Sequence, residues 1–279
     1  MIEIQDLSFT YKDETKPALQ DIRLSVPEGG FLGVIGPAGA GKTTLARVIT
    51  GMVPHHYPGD YSGSALVNGL DTVDTPIPDL SRQVGMVFQD VDSQIISPVV
   101  EDEILYGLEN FGIPREEIPV RMEEAMQKVG IADLRERTVG SLSGGQRQKV
   151  AIASIIALKP RILVLDEPTG ELDPRSSRQV FSLLKELNEE QGITVVLIEQ
   201  KIMLLCEFAK QMAVLKDGKI VRQGDTRDVL SHADELQALG VNCPRVTTLS
   251  SLLEKKAGEK MPVCINLDEA ETMARGLIS

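Results

Sequence analysis

Residues 36–44 read Gly36-Pro37-Ala38-Gly39-Ala40-Gly41-Lys42-Thr43-Thr44, and their reading decides the fold. They satisfy the spacing G-x-x-x-x-G-K-[ST] and lie between an apolar run, Phe31 to Ile35, and a helix-compatible one, Lys42 to Ile49. Strand, glycine-rich loop and helix in that order make a phosphate cradle. Glycines let successive backbone N–H groups turn inward, the helix start carries partial positive charge, and a lysine adds a point charge at the β/γ-phosphates. Thr43 is then placed to hold Mg²⁺ through its hydroxyl. The bland alternative, a glycine turn joining strand to helix, does not explain why Lys42 and Thr43 follow at that spacing.

Working outward, Ile2, Ile4, Leu7 and Phe9 alternate with polar residues, as do Ile22, Leu24 and Val26. Two half-buried antiparallel strands are expected ahead of the loop. Tyr11 closes the first of them and is open to two readings: loop packing, or a ring that stacks on adenine. Met52 to Gly63 reads as a loop, and its adjacent His55 and His56 lack a spaced third ligand, which makes them surface residues rather than a metal site. Ala65 to Val67 before Asn68-Gly69 reads as a strand and turn.

Val84 to Phe88 is a short buried strand ending at Gln89. Residues 92–160 read as a helical insertion, its clearest helix running from Val120 to Val129. Within it Leu142 to Gln146 reads L-S-G-G-Q; Ser143 is a natural N-cap, and Gly144, Gly145 and Gln146 open a helix that offers a second anion cradle. Arg161 to Glu167 is a continuous apolar run closed by Asp166 and Glu167, as expected of a parallel strand buried on both faces with its carboxyl end at a ligand site. Asp166 suits a Mg²⁺ shell and Glu167 suits polarising a water.

Asp173-Pro174 predicts an N-cap and first helical residue, with the helix stopping at Gly192. Thr194 to Ile198 is the next buried strand. Asp217-Gly218 sits between two further strands as a hairpin turn. From Asp228 to Leu239 an amphipathic stretch leads into a small appended unit.

The chain has 279 residues, enough for one large domain or a domain with an appendage. Its formal charge of −12 argues against a nucleic-acid partner, since phosphate backbones select basic surfaces. Cys206, Cys243 and Cys264 are odd in number and widely spaced, which suits free thiols in a reducing compartment. No apolar run approaches the ~20 residues of a spanning helix, so membrane work would go through docking on another chain, from the cytoplasmic side.

Together the phosphate loop, Gln89, Leu142 to Gln146, Asp166-Glu167 and Asp173 resemble the nucleotide-binding domain of ABC ATPases over residues 1–226, in order and in spacing. The resemblance implies a P-loop NTPase with a RecA-like α/β core, an antiparallel β subdomain, a helical subdomain at about 92–160 and a small carboxy-terminal extension, 227–279. Residues 87–114, V-F-Q-D-V-D-S-Q-I-I-S-P-V-V-E-D-E-I-L-Y-G-L-E-N-F-G-I-P, and the segment Leu239 to Leu253 are similar to the ATPases of energy-coupling-factor importers, which take up vitamins and transition-metal ions.

That resemblance assigns roles. ATP and Mg²⁺ are the expected cofactors. Tyr11 becomes the adenine-stacking ring, Gln89 the residue sensing Mg²⁺ and the attacking water, Asp166 the Mg²⁺ partner with Thr43, and Glu167 the general base. Ser143 to Gln146 closes over a nucleotide held by a second ATPase subunit, and Asp173 lies in the loop that crosses between the two. A transmembrane coupling protein and a substrate-binding membrane protein complete the implied assembly.

Two positions depart from the family pattern. Gln200 stands where a switch histidine is usual, and the histidines His55, His56 and His232 do not realign to it. Glutamine donates a hydrogen bond but cannot become cationic. A slow site in a heterodimer is expected, with a catalytically degenerate regulatory or assembly subunit as the alternative. Gly170-Glu171 adds a carboxylate near the subunit interface. The acidic run Glu101 to Glu103 is expected either to meet a basic partner or to be a solvated face. A DNA-repair ABC ATPase would need long heptads or zinc cysteines before the signature, and neither is present.

Overall fold

The computed structural model describes residues 1–258 and 260–278. Strands β1 (Ile2–Tyr11) and β2 (Leu19–Val26) pair antiparallel, as their alternation predicts. The step from Ile4 to Leu7 breaks strict alternation, and the register shifts there at a bulge where Asp6 takes φ +49°. The bulge restores the inward face: Ile2, Ile4, Leu7 and Phe9 are all buried.

Strand β3 (Phe31–Ile35) runs into the phosphate loop; β4 (Gly59–Val67) and β5 (Leu70–Asp71) follow the first helix. The remaining strands are β6 (Val84–Val87), β7 (Ile162–Asp166), β8 (Thr194–Ile198), β9 (Gln211–Lys216) and β10 (Lys219–Asp225). They form two sheets: an antiparallel one ordered β2-β1-β4-β5, and a six-stranded one ordered β10-β9-β3-β8-β7-β6. In the second, β3 is parallel to β8 and β9, and β7 is parallel to β6 and β8; β10 is an antiparallel edge.

The apolar runs of this sheet alternate between two cores. Ile162, Val164, Val196, Ile198, Leu32 and Val34 face the antiparallel sheet and the first helix, Lys42–Ile49. Leu163, Leu165, Val195, Leu197, Phe31 and Ile35 face the helices of the opposite layer. That two-sided burial is why the sequence reads as unbroken apolar runs.

The insertion is helical: Val100–Asn110, Ile118–Val129 and Gly144–Ile156 pack together. The helix Pro174–Gln191 starts on its Asp173 cap and ends at Gly192 with φ +69°. Asp217 and Gly218 both take positive φ, +49° and +77°, in the hairpin between β9 and β10.

Met52 to Gly63 is not a loop throughout: it contains a short helix, Met52–His55, and the first residues of β4. Tyr11 pairs with Gly59 and Thr10 with Asp60, so the ladder to β1 makes a strand of Gly/Pro-rich sequence that has no local preference for one. The amphipathic stretch from Asp228 to Leu239 is two helices, Thr226–Leu230 and Ala233–Ala238. Between them the Ser231 hydroxyl and the His232 ring both turn back to the Asp228 carbonyl, at 2.6 and 3.1 Å.

Val229, Leu230, Leu236 and Val241 join the main core, whereas Val246, Met261, Cys264, Ala270 and Met273 form a small separate cluster. The acidic run does not act as one face. Glu103 is buried and accepts the Ile96 and Ser97 N–H groups at 2.9 and 2.8 Å, and Glu101 pairs with Arg135 at 2.8 Å; Asp102 is left exposed. Among the described residues no helix is long and apolar enough to cross a membrane.

Candidate functional site

Strands β3, β6, β7 and β8 point the same way, so the residues after their carboxyl ends gather at one edge of the sheet. This brings Gly36 to Thr44, Gln89, Asp166-Glu167 and Gln200 to one place, although they are spread over much of the chain. The carboxyl edge of a parallel sheet is where peptide dipoles and helix starts converge on a ligand.

The phosphate loop is tightly built. Gly36 has φ +154°, and a Cβ there would lie 2.2 Å from the Leu215 carbonyl oxygen on β9. Lys42 is 7% exposed, and its ammonium donates to the Gly36 and Pro37 carbonyls at 2.9 and 3.0 Å and holds the loop curved. Thr43, Arg47, Gln89, Asp166 and Glu171 line an adjoining cavity of about 720 Å³.

Asp166 is 2% exposed, and burial pushes its carboxyl above the ordinary aspartate value. The neighbouring Glu167 charge adds to the rise, while a hydrogen bond from Thr43 and the charges of Lys42 and Arg47 oppose it. Mg²⁺ fits these donors. A hydroxyl and a carboxylate lie side by side as hard oxygens, and a divalent cation relieves the desolvated charge.

Glu167 sits one residue beyond β7 in a left-handed conformation, φ +50°, with its N–H bonded to the Ile198 carbonyl of β8 at 2.9 Å. Its two carboxylate oxygens are each engaged: Gln200 Nε2 donates to one at 2.6 Å and Gln89 Nε2 to the other at 3.1 Å. Sequence reasoning named all three residues but did not foresee that both glutamines meet on the same carboxylate.

Tyr11 is half-buried. Its ring packs edge-to-face on Phe9 (4.8 Å) and Tyr57 (6.2 Å), and its hydroxyl lies 3.0 Å from Thr44 Oγ1 and accepts from Arg47 at 3.0 Å. Arg47 also lies over the Tyr57 ring at 4.1 Å. Arg47 escaped sequence reasoning because nothing in the phosphate-loop pattern marks the fifth residue after Lys42.

The signature does not line that cavity. Ser143 accepts the Gln146 N–H at 3.3 Å and Gln146 Oε1 accepts the Ser143 N–H at 2.9 Å, a reciprocal cap on the helix Gly144–Ile156. Asp92 lies 2.7 Å from Arg147 Nε, tying the segment after Gln89 to this helix. The carboxylate of Glu171 lies against Gly144, where an added Cβ would come within 2.2 Å of Oε2. Asp173 caps the next helix, accepting from the Ser176 hydroxyl and from the Arg175 and Ser176 N–H groups; these bonds, the hydroxyl's first, hold its carboxyl below the usual range.

The cysteines take no part. All three are free, and burial pushes the Cys206 thiol up to about 12 and that of Cys243 up to about 11, leaving both protonated at neutral pH.

Comparison with known proteins agrees with this geometry. Residues 19–170 match the family model described as ABC transporter. An ABC transporter ATP-binding protein of Pyrococcus horikoshii is 40% identical over 92% of this chain and 90% of its own length, and one of Pyrococcus abyssi is 38% identical over 92% and 91%. A relative from Methanosarcina acetivorans is 40% identical, but the match spans only 40% of that longer protein. Among solved structures, cbiO1 of Clostridium perfringens, part of the ABC transporter complex cbiONQ, superposes with a TM-score of 0.74 at 30% identity over 90% of this chain and 98% of its own. The cassette MJ0796, solved as a dimer in a post-hydrolysis state with ADP and phosphate, gives 0.72 at 28% identity over 81% and 99%.

Proposed function

Since the chain belongs to the ABC transporter family of ATP-binding subunits, which couple hydrolysis of MgATP to transport, we propose that it drives an energy-coupling-factor importer for a vitamin or transition-metal ion. The likeness to cbiO1 carries the importer class, because it extends over a larger share of this chain than the likeness to MJ0796 does. The sequence of residues 87–114 and of the segment Leu239 to Leu253 supports the same reading.

In this reading the loop from Gly36 to Thr44 cradles the nucleotide phosphates, and Tyr11 faces its base. Mg²⁺, when bound, supplies Lewis-acid neutralisation of phosphate charge. Thr43 and Asp166 hold it, and Gln89 senses it. Glu167 acts as general base on water, and the amides of Gln89 and Gln200 orient its carboxylate. Ser143 to Gln146 completes the site of a second ATPase subunit, and Asp173 lies between the two. Residues 227–279 are the extension that contacts this second subunit; within it Val246, Met261, Cys264, Ala270 and Met273 make a small cluster separate from the main core. A transmembrane coupling protein docks near Gln89 and the helical subdomain, which keeps the chain at the inner face of the membrane.

Gln200 makes this chain's own site the slower one, so a heterodimer with a histidine-bearing ATPase is the favoured assembly. Two measurements test the reading. Tagged chain purified from membranes of its producing cells is expected to bring a second ATPase and two integral membrane proteins; recovery free of any membrane protein would sink the importer assignment. Gln200→His is expected to raise turnover, and brisk, unchanged hydrolysis in both forms would remove the slow-site reading.

A further inference from the structure

Directly beside Gln200 lie two buried or half-buried charges that the reaction does not use. Glu199 is 2% exposed, and its carboxylate accepts the Thr169 hydroxyl on one oxygen and the Gln200 and Lys201 N–H groups on the other, at 2.8 and 3.2 Å. Lys201 sends its ammonium across to the same neighbour: Nζ donates to the Thr169 carbonyl at 2.6 Å, the Leu172 carbonyl at 2.9 Å and the Ser177 hydroxyl at 2.8 Å. Thr169 and Ser177 are wholly buried. Thr169 is therefore gripped from both sides, its hydroxyl by the anion and its carbonyl by the cation.

Charges withdrawn from water persist only where their hydrogen bonds are met, and these are met by one loop. Every side-chain bond of Lys201, and the one distant side-chain bond of Glu199, goes to the segment 169–177, which contains the loop from Gly170 to Asp173. That loop carries Glu171, whose carboxylate lies on Gly144, and Leu172, against which a Cβ on Gly145 would press at 2.9 Å. A continuous packed path thus runs from the Gln200 amide on Glu167, through Glu199 and Lys201, to the first residues of the signature helix.

We propose that Glu199 and Lys201 are positioning residues that make the loop bearing Gln200 and the loop Gly170 to Asp173 move as one body, so that the Gln200 amide stays on Glu167 only while the second loop is seated. The inference rests on the ATPase reading above. It gives each subunit a physical means of linking its own hydrolytic site to the signature it presents to its neighbour.

The test is a double-mutant cycle on the purified full chain with MgATP, free of other ATPases, so that turnover reports this chain's own site. Lys201→Met keeps the aliphatic stem and deletes the three donors. It is expected to lower kcat about ten-fold while KM for ATP stays within about two-fold, and Lys201→Arg is expected to recover part of the loss. The double variant Lys201→Met/Gln200→Ala should be no slower than Gln200→Ala alone, because Lys201 acts through Gln200; a merely structural role would multiply the two losses. If Lys201→Met does not fold, Thr169→Val, which removes only the hydroxyl that Glu199 accepts, carries the same cycle. Unchanged kcat, or multiplying losses, in an active chain overturns this inference alone. A wild-type chain that does not hydrolyse ATP with its partners overturns the ATPase reading and this one together.

Discussion

Gly36→Ala is the sharpest single test of the phosphate loop. The perturbation is one methyl group at φ +154°, a backbone region that side-chain-bearing residues essentially avoid, and the added carbon would lie 2.2 Å from the Leu215 carbonyl oxygen. Ordinary contact begins at 3.4 Å, so the two backbones must part by 3.4 − 2.2 = 1.2 Å. Leu215 cannot yield easily, since β9 is held on one side by β3, with Val214 opposite Ile35, and on the other by β10. The loop must move instead. Backbone strain of about 1–3 kcal/mol and the loss of about one ladder or loop hydrogen bond, about 1 kcal/mol, sum to about 2–4 kcal/mol.

At about 2–4 °C per kcal/mol for a chain near this size, the thermal midpoint should fall by about 4–16 °C. Binding of an ATP analogue should weaken by about ten-fold for each ~1.4 kcal/mol of strain released only by displacing the loop. Gly39→Ala is the control in the same loop. Its φ is +74°, yet an added Cβ meets nothing within 4 Å, so only the left-handed penalty of about 1–2 kcal/mol applies. Circular-dichroism melts and a fluorescent-nucleotide titration of both variants decide the matter. A Gly36→Ala chain that melts no lower and binds no weaker than Gly39→Ala would refute the reasoning.

Two further outcomes follow from buried carboxylates. Asp166 is held above its ordinary value, so the folded chain binds that proton more readily than the unfolded one, and stability falls as pH rises from about 4 through the raised value. In chelator, Asp166→Asn should therefore melt higher than wild type at pH 8, with the gap closing toward pH 4; a lower melt at pH 8 would mean that Thr43, Lys42 and Arg47 outweigh burial. Glu103→Ala should cost about 2–4 kcal/mol in denaturant titrations, because the Ile96 and Ser97 N–H groups lose a charged acceptor beneath the helical layer. A cost below about 0.5 kcal/mol would show that water replaces it.

Much of this molecule is local and therefore legible in the sequence. The caps at Ser143 and Asp173, the Asp217-Gly218 turn and the apolar runs of β3, β7 and β8 are set by residues within a few positions of one another, and the structure has them where the pattern predicts. The parallel sheet follows from the same runs, since strands with no polar face must be covered on both sides. The motif spacing that resembles ABC ATPases belongs to this layer too, because each motif is one turn at the end of one element.

What the tertiary structure alone decided are the pairings between those turns. Glu167 receives its two amides from residues 78 and 33 positions away, and Lys201 finds its acceptors 24 to 32 positions back. No periodicity encodes such partners. The strand in Gly59 to Gly63, the burial of Glu103 inside an apparently solvated acidic run, and Glu171 lying on Gly144 share this cause: each is fixed by a neighbour that only chain folding brings near. Local sequence chose the groups, and the packing of the sheet's carboxyl edge chose which of them meet.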